Sequence, residues 1–94
     1  MGMDLPVRYE VVLSRKSFKN LEKLPAHIRE KFLVLAEQLR LKGPVAANWP
    51  NYSKLGKNEY HCHLAYSWVA CWRNEGNTLI IEVYYVGSRE NAPY

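Results

Sequence analysis

The feature that most constrains this chain is a run of apolar residues at helical spacing that ends in a helix-breaking pair. The residues recur at i, i+4, i+7 and i+11, as Ile28, Phe32, Leu35 and Leu39. Side chains at these spacings share one face of an α-helix. Gly43-Pro44 follows; glycine suits the end of a helix, and proline cannot continue it. The pattern predicts an amphipathic helix that must bury its apolar face against a second layer.

A shorter helix is predicted immediately before it. Ser14 is a good N-cap, and apolar residues recur behind it at Phe18, Leu21 and Leu24. Pro25 ends this helix and can open the next, because proline is tolerated in the first turn. Two helices joined by so short a link should form an antiparallel hairpin.

The remaining segments include short runs rich in β-branched and aromatic residues, which are typical of strands. One precedes the helices and three follow them, at residues 7–13, 59–65, 67–73 and 78–86, with a hairpin loop at 74–77. Alternation in the last run predicts which residues pack on the helices: Leu79, Ile81, Val83 and Tyr85. The order β-α-α-β-β-β predicts an α+β domain with the helix hairpin packed on one face of a mainly antiparallel, four-stranded sheet.

Residues 44–57, between the second helix and the later strands, are predicted to be a loop, because they are rich in proline, asparagine and glycine. The loop also carries Trp49 and Tyr52. These two side chains could pack the loop onto the core or stack on nucleic-acid bases.

Length and composition bound the class of protein. We interpret residues 1–94 as one domain, with 1–6 as a loose N-terminal extension. The chain is 48% apolar and 23% charged, which is typical of a globular protein rather than a disordered one. No apolar run is long enough for a membrane span, and the N-terminus has no apolar secretory core, so a cytoplasmic location is predicted. In that compartment Cys62 and Cys71 are expected to be free thiols.

The charge distribution suggests an acidic partner. The net charge is +4, and residues 1–53 carry nine Lys/Arg against five Asp/Glu. The surplus therefore lies on the predicted helices. It is either a solvated helix face or a surface that attracts nucleic acid or an acidic partner segment.

Two histidines stand out in the strand at 59–65. His61 and His63 are two residues apart, so they share one face of the strand and lie about 6.6 Å apart. Such a gap could straddle a phosphate. The pair could instead be merely solvated, or supply two ligands to a metal, although no third ligand is suitably spaced.

Several short motifs accompany this element order. They are Ser-Arg-Lys-Ser-Phe-Lys-Asn-Leu from 14, Leu-Pro-x-x-Ile-Arg from 24, Lys-Leu-Gly from 54, a Tyr-x-x-x-Leu strand from 60, a Trp-rich strand, and Tyr-Val-Gly-Ser-Arg-Glu from 85. Together they resemble the RelE/ParE toxin superfamily over residues 7–94. In that superfamily, RelE-like members cleave messenger RNA in the ribosomal A site and are silenced by a cognate antitoxin. ParE-like members share the fold but poison DNA gyrase.

The resemblance also assigns candidate site residues. RelE-like members carry two alternating lysines on the strand after the Leu-Gly loop, and His61 and His63 occupy those positions. Arg89 matches the arginine of the closing Val-Gly-x-Arg motif, and Tyr94 approximately matches a tyrosine that follows it. Trp68 stands where an arginine is common, and Arg73 lies farther along the same strand.

The residue types fit RNA cleavage without a metal or another cofactor. Histidine can remove the proton of the ribose 2′-hydroxyl or donate one to the leaving 5′-oxygen. The Arg89 guanidinium suits the charge that develops on the phosphate, unless it pairs with Glu90 or Glu82. Phosphates on either side could be held by Lys54, Lys57 and Arg73. A base could stack on Trp68 or Tyr94.

The leading hypothesis is therefore a toxin-type endoribonuclease with His61, His63, Arg89 and Tyr94 at its centre. A ParE-like inhibitor of gyrase, or a degenerate toxin that only binds its antitoxin, are the alternatives. The expected partners are a cognate antitoxin, messenger RNA and the ribosomal A site. DNA would be bound through the antitoxin, and no membrane is involved.

Overall fold

The computed structural model describes residues 8–94. The predicted extension at 1–6 and Val7, the first residue of the predicted opening strand, lie outside these residues. The elements in chain order are β1 (Glu10–Leu13), α1 (Arg15–Lys23), α2 (Ala26–Lys42), β2 (Ser53–Gly56), β3 (Glu59–Ala65), β4 (Trp68–Arg73) and β5 (Ile80–Ser88), followed by a 3₁₀ turn (Arg89–Asn91).

Both helices begin and end where the sequence predicts. The Ser14 side chain caps α1 by accepting a 3.1 Å hydrogen bond from the Ser17 backbone N–H. Gly43 ends α2 with a φ of +92°, a conformation that favours glycine. A Cβ at this position would lie 3.0 Å from the Tyr9 ring, so close packing also requires glycine here.

The sheet contains five strands in the order β1-β5-β4-β3-β2, and the predicted count of four was one too few. β1 is parallel to β5, and the other neighbours are antiparallel. The additional strand, β2, lies within the segment predicted to be a loop. Its four residues pair with β3, including Ser53 opposite His61 and Lys54 opposite Tyr60. The α+β class and the mainly antiparallel sheet are as predicted.

The helices cover one face of this sheet and bury the main core. The four periodic residues of α2 are fully buried: Ile28, Phe32, Leu35 and Leu39. They pack with sheet residues that alternate along three strands: Tyr60, Cys62, Leu64, Ala70, Trp72, Ile81, Val83 and Val86. In α1 the amphipathic prediction holds less well. Leu21 packs against the core, but Phe18 is 55% exposed and Ser17 is buried in its place.

The aromatic residues of the long connection also pack on this core. The Trp49 indole N–H donates a 3.0 Å hydrogen bond to Gln38 on α2. The Tyr52 ring stacks against Tyr60, with 6.3 Å between centroids. Of the two sequence interpretations, the structure therefore shows core packing for both rings.

We call the sheet face turned away from the helices the open face; its small apolar cluster contains Val69, Cys71 and Tyr85. Tyr85 was predicted to face the helices, and that prediction is wrong. The pairing of β4 with β5 is irregular between Cys71 and Trp72, opposite Tyr85 and Val83. This β-bulge inserts Tyr84 and reverses the alternation beyond it. Leu79 was also assigned to the helix side, but it precedes β5 and is exposed.

Cys62 and Cys71 are both free and buried, and they belong to the clusters on opposite faces of the sheet. Neither helix within residues 8–94 is long and apolar enough to cross a membrane.

Candidate active site

The two histidines of β3 lie side by side on the open face. His61 is opposite Cys71 and His63 is opposite Val69 in the adjacent strand. Each histidine is 9% exposed, and their ring centroids are 6.0 Å apart. The strand therefore places both imidazoles on one surface at the predicted separation. Neither ring is merely solvated.

The β2 strand supplies a partner that sequence reasoning missed. The Ser53 hydroxyl lies 3.1 Å from Nδ1 of His61, because the β2–β3 register sets these residues opposite each other. This contact orients the ring and leaves Nε2 as the nitrogen available for chemistry. The sequence signal was weak, since β2 has only four residues and one half-buried apolar side chain, Leu55.

The surroundings of the histidines favour neutral imidazoles. Burial lowers the pKa of His61 below its ordinary value, a hydrogen bond with the Ser53 backbone opposes this effect, and the charge of His63 adds to the lowering. Burial also lowers the pKa of His63, and the Arg89 guanidinium contributes in the same direction. A histidine with a lowered pKa is neutral at neutral pH and can accept a proton.

Tyr94 completes one side of the histidine pair. The 3₁₀ turn after β5 directs the chain back across the open face, and Ala92 packs against its apolar cluster. The Tyr94 ring lies over His61, with 4.4 Å between centroids. Burial raises the pKa of the Tyr94 phenol. Tyr94 is therefore a neutral ring that shields His61 while one side of it remains in solvent.

Arg89 lies near the His63 end of the site. Trp68 at the start of β4 is opposite Ser88 at the end of β5, and the Arg89 backbone N–H donates a 2.8 Å hydrogen bond to Ser67. The guanidinium lies 5.3 Å from the centroid of Tyr66. Within residues 8–94, Arg89 forms no ion pair, whereas Glu82 pairs with Arg73. The positive charge of Arg89 is therefore available for a ligand.

Trp68 packs against the main core and also lines a cleft beside Arg89. The cleft has a volume of about 540 Å³ and is lined by Tyr66, Ser67, Trp68, Ser88, Arg89 and Glu90. Tyr66, like Ser53, was not among the predicted site residues. It lies in the turn between β3 and β4, where the strand pattern gives no indication of which side chains converge.

Arg73 lies at the other end of β4 and belongs to a separate polar network. It pairs with Glu82 at 3.3 Å, and its guanidinium lies over the Tyr84 ring at 4.2 Å. The Tyr84 hydroxyl donates a 3.2 Å hydrogen bond to Glu59. Because five residues of an extended strand span about 16 Å, the structure does not bring Arg73 to the Arg89 end of the site.

The two predicted phosphate-binding lysines also lie apart from the histidines. The Lys54 ammonium is 5.6 Å from the centroid of Tyr60, a residue of the helix-side core. Lys54 therefore points to the face opposite the histidines. Lys57 is exposed in the turn between β2 and β3.

Among the described residues, no group of three or more His, Cys, Asp and Glu side chains converges in a way that could hold a metal ion. The groups that the structure does bring together are two imidazoles, one phenol and one unpaired guanidinium. Such a set can move protons and stabilise negative charge.

Comparison with solved structures identifies the architecture. The chain matches the RelE of the RelE–RelB complex from Pyrococcus horikoshii with a TM-score of 0.72 and 16% identity, over 92% of this chain and 100% of that one. It matches the isolated RelE toxin of E. coli with a TM-score of 0.71 and 16% identity, over 90% of this chain and 88% of that one. The chain has a RelE-like fold.

A further RelE-like match is the heterotetrameric YoeB–YefM toxin–antitoxin complex from Staphylococcus aureus, with a TM-score of 0.66 and 13% identity, over 86% of this chain and 97% of that one. No protein-family model and no curated protein matches the sequence. At these identities the RelE-like likeness establishes the fold, and the side chains of the site must support the function.

Proposed function

We propose that this protein is the toxin of a toxin–antitoxin pair and that it cleaves messenger RNA, most effectively on the ribosome. The observation that carries the proposal is the pairing of two buried histidines, 6.0 Å apart on the open face, with an arginine near one end that forms no ion pair within residues 8–94. The fold supports it, because the E. coli RelE and S. aureus YoeB structures that share this fold are toxins.

His63 is proposed as the general base. Burial of the His63 ring and the positive charge of Arg89 both lower the pKa of His63. Its imidazole is therefore neutral at physiological pH and accepts the proton of the ribose 2′-hydroxyl. The freed 2′-oxygen attacks the adjacent phosphorus and forms a 2′,3′-cyclic phosphate as the bond from phosphorus to the 5′-oxygen breaks.

His61 is proposed as the general acid. Burial lowers its pKa, but a hydrogen bond with the Ser53 backbone opposes this effect. The negative phosphate of bound RNA would favour the imidazolium further, so the ring is protonated in the complex. The protonated ring delivers its proton to the departing 5′-oxygen, so the second product ends in a 5′-hydroxyl. One proton leaves the 2′-hydroxyl and one reaches the 5′-oxygen, and no redox step or metal ion is required.

Arg89 and Tyr94 support the reaction in different ways. The Arg89 guanidinium stabilises the extra negative charge on the phosphorus-bound oxygens, because its fork of N–H donors matches phosphate geometry. Tyr94 lies over His61 at 4.4 Å and limits water access to that ring. Its exposed side also offers a surface on which a base can stack.

The proposed partner that silences this activity is an antitoxin. The YoeB structure from S. aureus contains its antitoxin YefM. In this chain, exposed cations of α1 flank the exposed Phe18, in a groove of about 670 Å³ lined by Leu13, Arg15, Phe18, Lys19 and Glu22. An acidic, amphipathic antitoxin segment would satisfy both the charge and the apolar surface.

Primer extension on messenger RNA from a translating extract tests the activity. The wild type should produce new cuts within translated codons, and the double variant His61→Ala/His63→Ala should produce none. His27→Ala, on the exposed surface of α2, is the matched control and should cut like the wild type. Growth arrest without cuts, combined with loss of gyrase supercoiling activity, would instead establish a ParE-like inhibitor.

A further inference from the structure

The cleft beside Arg89 is built by the fold rather than by chance contacts of surface side chains. The pairing of Trp68 with Ser88 closes its floor, and the 2.8 Å hydrogen bond from the Arg89 N–H to Ser67 fixes its two walls together. Its volume of about 540 Å³ lies within the range of about 300–1,000 Å³ typical of small-ligand sites. A single nucleotide unit fits such a space.

The aromatic wall of the cleft is more exposed than core packing would require. The Tyr66 side chain is 81% exposed, and the contact that holds its ring is the Arg89 guanidinium at 5.3 Å. Trp68 forms a second aromatic surface in the same cleft. Exposed rings beside a guanidinium are the usual means of stacking unpaired bases.

The charges of the cleft indicate which part of a nucleotide enters it. Arg89 attracts phosphate, whereas Glu90, which lines the same cleft, repels it. A carboxylate can instead accept hydrogen bonds from the exocyclic amino group of a base, as it does with cytosine. Adenine, cytosine and guanine carry such a group and uracil does not.

We propose that this cleft is a base-specificity subsite, in which Tyr66 and Trp68 stack on one nucleobase of the RNA and Glu90 selects a base with an exocyclic amino group. The inference rests on the proposed function, because the cleft lies beside the histidines: Trp68 is followed by Val69, which pairs with His63. The selected base therefore lies next to the scissile phosphate. Uracil at this position is disfavoured.

Binding can be measured separately from cleavage with 2′-deoxy tetranucleotides, which lack the attacking hydroxyl. A nuclear magnetic resonance titration would follow the Trp68 indole N–H and the Arg89 backbone amide while one base at a time is changed to uracil. At one position the wild type should bind the amino-bearing bases at least about 5-fold more tightly than uracil. Tyr66→Ala should weaken binding by about 5- to 100-fold, and Tyr66→Phe should retain it.

Glu90→Gln tests the selection itself. It should remove the discrimination against uracil while leaving the shifted resonances the same, and Glu30→Gln on α2 should behave like the wild type. Binding that is equal for all four bases, or resonance shifts that avoid the cleft, would overturn the subsite. Selective binding without RNA cuts in the primer-extension experiment would instead remove the nuclease and leave the subsite standing.

Discussion

The ring of Tyr94 lies against the ring of His61, with 4.4 Å between centroids and an angle of 56° between planes. One residue belongs to β3 and the other follows the 3₁₀ turn beyond β5. The contact therefore brings the chain that follows β5 onto β3, across the intervening strand β4. It makes the environment of the proposed acid depend on the path of the chain after β5.

Removing this ring should change the titration of the histidine. Tyr94→Ala exposes His61 to water, and because burial is the main cause of its lowered pKa, the pKa should rise toward its ordinary value of about 6.5. Imidazole resonances followed by nuclear magnetic resonance against pH would measure it. Tyr94→Phe keeps the ring and should titrate like the wild type. An unchanged pKa in Tyr94→Ala would show that the contact does not shield His61.

The two histidines should be separately necessary for cleavage. His61→Ala or His63→Ala should each lower the cleavage rate by about 100- to 10,000-fold, the usual contribution of a positioned acid or base. Single-turnover cleavage of ribosome-bound messenger RNA measures this loss. His27→Ala is the control for a general effect of removing an imidazole. Full activity in either single variant would exclude the assigned proton transfers.

Stability should decrease as the solution is acidified through the range in which unfolded histidine titrates. The folded state lowers the pKa of both His61 and His63, so the unfolded state binds more protons below pH about 6.5. The stability supplied by the neutral rings is present above that pH and is lost as the pH falls. Urea unfolding at pH 7.5 and pH 5 measures the loss.

Replacing His63 with a side chain that does not titrate should reduce the dependence of stability on pH. His63→Gln should show a smaller difference in unfolding free energy between the two pH values than the wild type does. His27→Gln, exposed on α2, should follow the wild type. Identical pH dependence in His63→Gln and wild type would mean that His63 is as easily protonated in the folded protein as in the unfolded chain.

Adjacent residues of α2 provide a sharp test of the core. Phe32 is 1% exposed and Leu33 is 55% exposed, although they are neighbours in sequence. Phe32→Ala should lower the unfolding free energy by about 3–5 kcal/mol, because it leaves a cavity. Leu33→Ala should change it by less than about 0.5 kcal/mol. Chemical denaturation of both variants would show whether this face of α2 carries the core.

Alanine substitutions at two glycines should distinguish backbone strain in the folded state from reduced freedom of the unfolded chain. Gly43→Ala places a Cβ 3.0 Å from Tyr9 at a φ of +92°, so it should lower the unfolding free energy by about 1–3 kcal/mol. Gly76 lies in the β4–β5 loop, and a Cβ there meets nothing within 4 Å. Gly76→Ala should therefore be neutral or slightly stabilising. Equal effects in thermal unfolding would contradict this account of the α2 terminus.

The sequence predicted those parts of the fold that depend on local periodicity. The spacing of Ile28 and Phe32 identified α2, and the separation of His61 and His63 identified their shared face. The sequence did not reveal the bulge that turns Tyr85 away from the helices, because an inserted residue leaves no trace in the alternation of side chains. Ser53 was missed for a related reason: a four-residue edge strand is recognisable only once its partner is known.

Strand register also decides which of the candidate site residues lie together. His61, His63, Tyr94 and Arg89 converge because they lie on or beside strands that pair. Lys54 and Arg73 do not join them, since alternation sends Lys54 to the other face and the length of β4 separates Arg73 from Arg89. Matching isolated residues to a family pattern could not reveal either separation, because both follow from strand register.

The parallel pairing of β1 with β5 also determines when the sheet can be completed as the chain is synthesised. Glu10 pairs with Ile80, so the strand beside β1 in the sheet is made after the other four strands. Pairings between residues so distant in sequence form late in folding. Until β5 and Arg89 have left the exit tunnel, β1 has no neighbour and the histidines have no arginine beside them. A chain interrupted before β5 therefore lacks both the strand neighbour of β1 and the guanidinium proposed to stabilise the phosphate charge.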